Sequence, residues 1–472
     1  MSRDTILLVY PHHTYYTLEY PWLPTASIFL ASTLLDAGYK VIIVDDRFSR
    51  QETLEEISKH IDDTFLVGFT TVCGSQLKNT VEIIRWLRQD HDVPIVLGGS
   101  FPSAEPEICL RDLPIDYVIT GPGEYGILKL ANFLKGDGSK ERIPNLYWKD
   151  GEGNITRSPE PFVRFNINEL PPLPYFNKDV ISVERYIHPE NRVINYNAST
   201  GCVGSCSFCY WHPSYKVGFF DNDRVLQDLK EFKRRYNIKN VEFHDPTFFL
   251  NTRRTRDFAT KMIDEGLKVK WRANARVDTL ATHTLEDFEL MKKSGCYYIY
   301  LGVESGSPDV LKMMHKEFNF QDAVKVVRLA KQTDLTTLIF LMFGMPGETL
   351  ENLKETVAFA RTLLDINPDL EFAYSFFTPF PGCEMSEAAN KYFNPPSTVE
   401  EFSRFERVSS SLPENDREPI KIKSPWEEDF VIPWFTDDFY KEYMDYWRKN
   451  MPQKLSMTSV DSEKKDYYKH KE

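Results

Sequence analysis

Two blocks of alternating pattern divide the chain. Over residues 4 to 135, short β-branched and apolar runs alternate with stretches in which apolar positions recur every three or four residues. TILLVYP, YKVIIVDD, TFLVGFTT, VPIVLGG and DYVITG read as buried strands. TASIFLASTLLDAG, TLEEISKHI, LKNTVEIIRWLRQ, EPEICLRD and YGILKLANFLKG read as the helices between them. Such alternation predicts a parallel sheet with helices on both faces, and ligands beyond the carboxyl ends of its strands. Those ends carry PHHTYY, TTVCGS, LGGSFPSAEPE and TGPGE. Gly98 and Gly99 before Ser100, and Gly121 and Gly123 before Glu124, let backbone approach a ligand closely. No G-x-G-x-x-G follows the first strand, so the pattern gives a flavodoxin-like α/β ligand domain over residues 1–140 without a dinucleotide fingerprint.

A hairpin, NLYWKDGEGNITRSP, and the Pro-rich ELPPLPYF then form a bridge over residues 141–191. Within residues 192–385 the alternation resumes. VINYNAST, NVEFHDPT, VKWRANAR, CYYIYLGVES, TTLIFLMFG and LEFAYSFFTPF are six strand candidates, which predicts an open partial barrel with its chemistry at the carboxyl ends. Residues 386–455 form a helical region, where Phe439, Tyr443, Tyr446 and Trp447 recur at helical spacing and read as core packing. The polar, highly charged stretch 456–472 reads as a disordered tail.

Composition narrows the function. The net charge of −13, from 57 basic and 70 acidic residues, argues against a nucleic-acid groove. The longest apolar runs, such as LIFLMFGM, are far short of a membrane span. The opening MSRDTILLVY lacks the features of a secretory signal, and seven cysteines are sparse and odd in number. The expectation is a reduced, cytoplasmic protein without structural disulfides.

Three of those cysteines, Cys202, Cys206 and Cys209, lie within TGCVGSCSFCYW. Structural zinc prefers four ligands in two close pairs, and only His212 stands near enough to complete such a set. An iron–sulfur cube takes one thiolate per iron, so three thiolates leave one iron open. The spacing C-x3-C-x2-C, with Gly201, Gly204, Ser205 and Ser207 among its residues, suits a loop wrapped around a cube.

These residues resemble the signature of the radical S-adenosylmethionine (SAM) enzymes, down to the aromatic Phe208 before the third cysteine. The resemblance implies a [4Fe-4S] cluster on Cys202, Cys206 and Cys209, whose open iron chelates SAM. It further implies reductive cleavage of SAM to a 5'-deoxyadenosyl radical, and an external one-electron reductant of flavodoxin or ferredoxin type. Glu304 in LGVESGS matches the family position that binds the polar part of SAM. WRANARVD resembles the segment that contacts SAM through Trp271, Arg272, Asn274 and Arg276, the arginines being suited to a bidentate grip on its carboxylate. His244 and Asp245 end the second barrel strand, where a ligand contact or a satisfied strand-end pair fits equally. Gly344 and Gly347 in LMFGMPGET resemble the turn that lets backbone pass the adenine, and Thr378, Pro379, Pro381 and Gly382 the floor after the sixth strand.

The first half resembles the cobalamin-binding-type domain that precedes the radical core in one large group of these enzymes. That group includes C-methyltransferases, the oxidative cyclase of bacteriochlorophyll synthesis, and hopanoid and aminoglycoside tailoring enzymes. The corrinoid signature D-x-H-x-x-G is absent, since no Asp and Gly frame His12 and His13, and this predicts a cobalamin held without a histidine lower ligand. Tyr15, Tyr16, Tyr20, Trp22, Tyr210, Trp211 and His212 wall a cavity between the two cofactors or pack the domains together. RNA methylthiolation would need a second cysteine trio and a basic end domain, both lacking. The implied reaction modifies an unactivated C–H bond of a small metabolite, lipid or natural-product precursor. Cobalamin-dependent C-methylation is the first reading; a non-methylating cyclisation, dehydration or oxidation is the alternative.

Overall fold

A computed structural model describes residues 3–13, 20–163, 165–209, 216–392, 395–404, 432 and 434–451. Two sheets organise them. The first contains β1 (Thr5–Tyr10), β2 (Lys40–Asp45), β3 (Thr64–Thr70), β4 (Ile95–Gly98), β5 (Tyr117–Ile119), β6 (Leu146–Lys149) and β7 (Ile155–Arg157), in the order β2-β1-β3-β4-β5-β6-β7. The pairs from β2 to β5 are parallel, whereas β6 and β7 add on antiparallel. The hairpin read as part of the bridge thus extends the first sheet.

Helices α1 (Thr25–Asp36), α2 (Arg50–His60), α3 (Ser75–Asp90), α4 (Ser100–Ala104), α5 (Pro106–Asp112) and α6 (Glu124–Leu134) accompany this sheet. The period of two along β1 explains the layering. Ile6 and Leu8 pack with Ile28 and Leu34 of α1 and Ile127 and Leu130 of α6. Leu7 and Val9 face the other way, onto Ile57 of α2 and Leu77 and Ile84 of α3.

The barrel region begins with β8 (Val193–Tyr196) and a small antiparallel pair, β9 (Ser199–Thr200) and β10 (Gly218–Phe219). It continues with β11 (Asn240–Phe243), β12 (Lys270–Arg276), β13 (Cys296–Glu304), β14 (Thr336–Phe343) and β15 (Glu371–Phe376). β8 and β11–β15 form one parallel six-stranded sheet whose spatial order follows the chain, the topology of a partial barrel. Between its strands run α7 (Asn222–Tyr236), α8 (Thr252–Asp264), α9 (Val277–Leu280), α10 (Leu285–Lys293), α11 (Pro308–Met313), α12 (Phe320–Gln332) and α13 (Leu350–Ile366). Thr284 with Asp287 and Thr349 with Asn352 form reciprocal caps that start α10 and α13, each worth about 1 kcal/mol. After β15 come α14 (Glu384–Ala389), α15 (Val399–Ser403) and α16 (Asp437–Asn450).

Alternation sorts the barrel strands. Val241, Phe243, Trp271, Ala273, Ile299, Leu301, Ile339 and Phe372 join the main core. The intervening residues Glu242, Arg272, Asn274, Arg276, Tyr300, Gly302 and Glu304 take the opposite, inner face. Trp271, read as a SAM contact, is therefore core. Its indole is fully buried among Phe243, Phe248, Phe249 and Phe258, and Nε1 donates to Ser294 Oγ at 3.2 Å. Tyr443 and Trp447 of α16 are buried too, as their spacing predicts.

Candidate functional site

The loop leaving β9 carries the three cysteines. Gly201 opens it at φ 73°, and a Cβ there would lie 2.8 Å from the Lys216 backbone, so only glycine fits. Cys202, Cys206 and Cys209 form no disulfide, and each is half-buried. Gly204 N–H donates to Cys202 Sγ at 3.4 Å, and Arg276 Nη1 donates to Cys206 Sγ at 3.5 Å. The loop is pinned from outside. Ser207 Oγ donates to Met313 O at 2.7 Å, Ser207 N to Met314 O at 3.0 Å, and Met385 N donates to Ser207 O at 2.9 Å. Phe208 packs into a sulfur-rich cluster with Met314, Met345, Cys383 and Met385. Among the described residues no three His, Cys, Asp or Glu side chains gather tightly enough to hold a single metal ion. His212, the fourth ligand a zinc set would need, lies outside the described residues. Three thiols on one glycine-opened loop, with N–H donors already aimed at two of the sulfurs, fit a cube that takes one thiolate per iron.

Glu304 closes β13 at φ 66°, after a register shift between Gly302 and Glu304. It is not a solvated turn residue. Lys316 Nζ donates to Glu304 Oε1 at 2.6 Å, and the two side chains are only 8% and 11% exposed. A Cβ on Gly302 would come within 2.7 Å of Glu304 Oε1 and 2.8 Å of Lys316 Nζ, so that glycine makes room for the pair. Lys316 Nζ also stands 5.9 Å from the Phe208 ring, which places the pair beside the cysteine loop. Sequence reasoning missed Lys316. The only local signal was a lysine after the helix-ending turn of KMMHKEF, where His315 adopts φ 50°.

The other β12 side chains engage protein groups. Arg272 is ion-paired with Glu242, which also meets His244 Nε2 at 3.3 Å. Burial alone would raise the Glu242 carboxyl, but Arg272 and His244 hold it at about 2. Asn274 Nδ2 donates to Asp245 O at 3.0 Å. Arg276 turns its fork onto Asp278, Nε to Oδ1 at 3.0 Å and Nη2 to Oδ2 at 2.8 Å. The bidentate grip read for the arginines is made by Arg276 to Asp278, and Arg272 is likewise committed to a protein carboxylate. Asp245 accepts from Ser199 Oγ and Ala198 N, and burial pushes it up to about 6.

Gly344 turns at φ 72°, and its backbone is held from the C-terminal region. Trp434 Nε1 donates to Gly344 O at 2.8 Å, and Gly344 N donates to Tyr443 Oη at 3.4 Å. Tyr443 Oη donates in turn to Glu348 Oε1 at 2.9 Å, while Met345 N donates to Oε2 at 2.9 Å. Burial pushes Glu348 up to about 7. These contacts also escaped sequence reasoning.

At the edge of the first sheet, Gly99 has φ 107°, and a Cβ there would lie 2.7 Å from Thr71 N. Ser103 Oγ donates to Gly99 O at 2.6 Å and accepts from Gly121 N at 2.8 Å, knitting the two glycine loops together. Gly98, Ser100, Gly121 and Gly123 are half-buried there. Glu124 begins α6 fully enclosed, with Oε2 lacking a hydrogen-bond partner and burial pushing the carboxyl up to about 7. An orphaned polar atom behind two open glycine loops fits a ligand bearing hydrogen-bond donors. His13 follows β1, and burial, with the nearby Arg47 and His12, lowers it to about 3.

The carboxyl-end loops of the two sheets meet each other. Trp22, beyond β1, stands edge-on to His244, beyond β11, at 5.0 Å. Leu23 N donates to Asn195 Oδ1 at 2.7 Å. A Cβ on Gly382, after β15, would lie 3.0 Å from Ala104 Cβ, just beyond the Gly99 turn. Tyr20 sits 5.0 Å from His188. Tyr15, Tyr16, Tyr210 and Trp211 lie outside the described residues.

Residues 16–131 match the family model of the B12 binding domain, and residues 196–360 that of the radical SAM superfamily. The chain therefore carries a B12-binding domain followed by a radical SAM domain. It is 29% identical over 373 residues to an uncharacterized methyltransferase of Pyrococcus horikoshii, covering 78% of each chain. It is 26% identical over 402 residues to the anaerobic magnesium-protoporphyrin IX monomethyl ester cyclase of Cereibacter sphaeroides, covering 79% of this chain and 62% of the cyclase. The fold is similar to the radical SAM methyltransferase TsrM from Kitasatospora setae, solved with cobalamin and a [4Fe-4S] cluster. That match has a TM-score of 0.67, 22% identity, and coverage of 82% of this chain and 77% of that one. Radical SAM domains work with a [4Fe-4S] cluster and SAM, and B12-binding domains with a cobalamin; the residues described above fit all three. No helix among the described residues is long and apolar enough to cross a membrane.

Proposed function

We propose that this chain modifies an unactivated C–H position of a small metabolite, lipid or natural-product precursor, and that the modification is cobalamin-dependent C-methylation. The observation that carries the reading is the meeting of two carboxyl-end faces, a glycine-lined B12-type edge and the face bearing the cysteine loop, through Trp22–His244 and Gly382–Ala104. The bound groups supply the radical and the methyl carrier, and the protein supplies binding, orientation and electrostatics.

Cys202, Cys206 and Cys209 hold the cluster. Glu304 and Lys316 offer one negative and one positive group beside it, which suits the ammonium and carboxylate of an amino-acid moiety such as that of SAM. Gly98, Gly99 and Ser100 with Gly121, Gly123 and Glu124 hold the corrinoid edge. Gly344 lines the adenine side, backed by Trp434 and Tyr443. Arg272, Asn274 and Arg276 shape the inner face through their protein partners. An external flavodoxin- or ferredoxin-type donor supplies the electron.

The similarity to a curated methyltransferase favours methylation. Similarity to a cyclase supports a second reading, radical cyclisation, dehydration or oxidation with a structural B12-type domain. The test is anaerobic purification with metal, sulfide and corrinoid analysis, followed by turnover with SAM and a low-potential reductant. Joint formation of 5'-deoxyadenosine and S-adenosylhomocysteine supports methylation, and 5'-deoxyadenosine alone supports the second reading. An iron-replete protein that does not cleave SAM overturns both.

A further inference from the structure

Arg276 has two partners, and their combination points to a role. Its Nε and Nη2 are fixed on Asp278 at 3.0 and 2.8 Å, which orients the planar guanidinium rigidly. The remaining nitrogen, Nη1, points at Cys206 Sγ at 3.5 Å. The guanidinium also lies against Gly204, inside the cysteine loop: a methyl group on that residue would collide with Nη1. The arginine side chain is only 12% exposed, whereas Asp278 is 39% exposed. The positive charge therefore lies nearer the sulfur and in a drier place than the charge that balances it.

We infer that Arg276, held by Asp278, sets the reduction potential of the metal group on the cysteine loop by donating a charged hydrogen bond to the Cys206 sulfur. One-electron reduction adds a negative charge to the cluster and its thiolates. A cation and an N–H donor at a ligand sulfur stabilise that reduced form more than the oxidised one, which raises the potential. Asp278 acts in two senses: it aims the guanidinium, and it offsets part of its charge through solvent-screened electrostatics. Gly204 is required because any side chain would push the guanidinium off the sulfur. Arg276 is a positioning and tuning residue; it holds no metal itself.

This inference rests on the reading of Cys202, Cys206 and Cys209 as cluster ligands, and the experiment separates the two. Iron content of the unaltered, reconstituted full-length protein tests the ligand reading. Dye-mediated potentiometry followed by electron paramagnetic resonance then tests the tuning, in the absence of SAM and without reference to turnover. Arg276→Gln should shift the reduction equilibrium about tenfold toward the oxidised form, about 59 mV lower for one electron. Arg276→Lys, which keeps the charge, should recover much of that shift. Asp278→Asn, which removes the balancing charge but keeps an oxygen for Nε, should move the potential the opposite way. Gly204→Ala keeps every cysteine and the arginine itself but displaces the guanidinium, and should lower the potential as Arg276→Gln does. It decides the matter if Arg276→Gln does not retain iron. Iron-replete variants with the unaltered potential overturn the inference, as does a shift of the same sign in Arg276→Gln and Asp278→Asn.

Discussion

Glu348 offers a prediction whose size follows from the structure. Its carboxyl is fully buried, and burial outweighs the hydrogen bonds from Met345 N and Tyr443 Oη, so it titrates near 7 rather than its ordinary 4.5. The sign is fixed by linkage: the folded chain holds a proton that the unfolded chain releases. The favourable contribution is therefore fully present below the unfolded pKa and is lost as pH rises through the folded one. Two and a half units at 1.36 kcal/mol each is about 3.4 kcal/mol, of which about 2.5 falls between about pH 5 and about pH 8.5. Glu124 and Asp245 shift in the same direction, so the unaltered protein alone cannot isolate the effect. Glu348→Gln can, because a glutamine does not titrate. Its amide leaves one of the two donors poorly matched, but that cost is the same at every pH. For a region of barrel size 1 kcal/mol moves the melting temperature by about 2–4 °C. The melting temperature of Glu348→Gln, relative to the unaltered full chain without cofactors, should thus rise by about 5–10 °C on going from the acid to the alkaline buffer. A difference that stays constant across that range refutes the reasoning.

Glu304→Gln should weaken SAM binding about 10- to 150-fold, the worth of a charged hydrogen bond, with iron content unchanged; equal affinity by equilibrium dialysis would remove Glu304 from the SAM site. Alanine at Cys202, Cys206 or Cys209 should abolish the cluster absorbance and SAM cleavage, while alanine at buried Cys296 or Cys383 should leave both intact. Retained SAM cleavage in Cys206→Ala would count against the ligand set. Gly99→Ala should lower the stability of the first domain before it reports on any corrinoid, because its Cβ would strike the Thr71 backbone. Unchanged thermal unfolding would show that the turn relaxes.

The strand–helix alternation was enough to find all five parallel strands of the first sheet and all six barrel strands, because apolar periodicity is a local property of the chain. The same periodicity could have placed Trp271 correctly. In WRANAR it alternates with Arg272, Asn274 and Arg276, so a strand that turns its arginines inward must turn the indole outward. The edge assignment of the hairpin was not legible, since nothing within NLYWKDGEGNITRSP says that Leu146 will pair with Ile119.

Most of the contacts that escaped join residues far apart in the chain, and this has a physical cause. Lys316 gains its meaning from Glu304 and from Phe208, which is more than a hundred residues away. Tyr443 and Trp434 act on Gly344 from 99 and 90 residues downstream. Propensity and spacing record what a segment does alone, whereas a buried charge is tolerated only once its partner has been brought to it by the fold. Gly302 is the trace such a pair leaves in the sequence. A strand interior disfavours glycine, yet a Cβ at this position would crowd the tips of both Glu304 and Lys316 and force the pair to move. A glycine two residues before a strand-end carboxylate is thus a signal that something must fit beneath it. Here that something is Lys316, the buried positive partner of the Glu304 carboxylate.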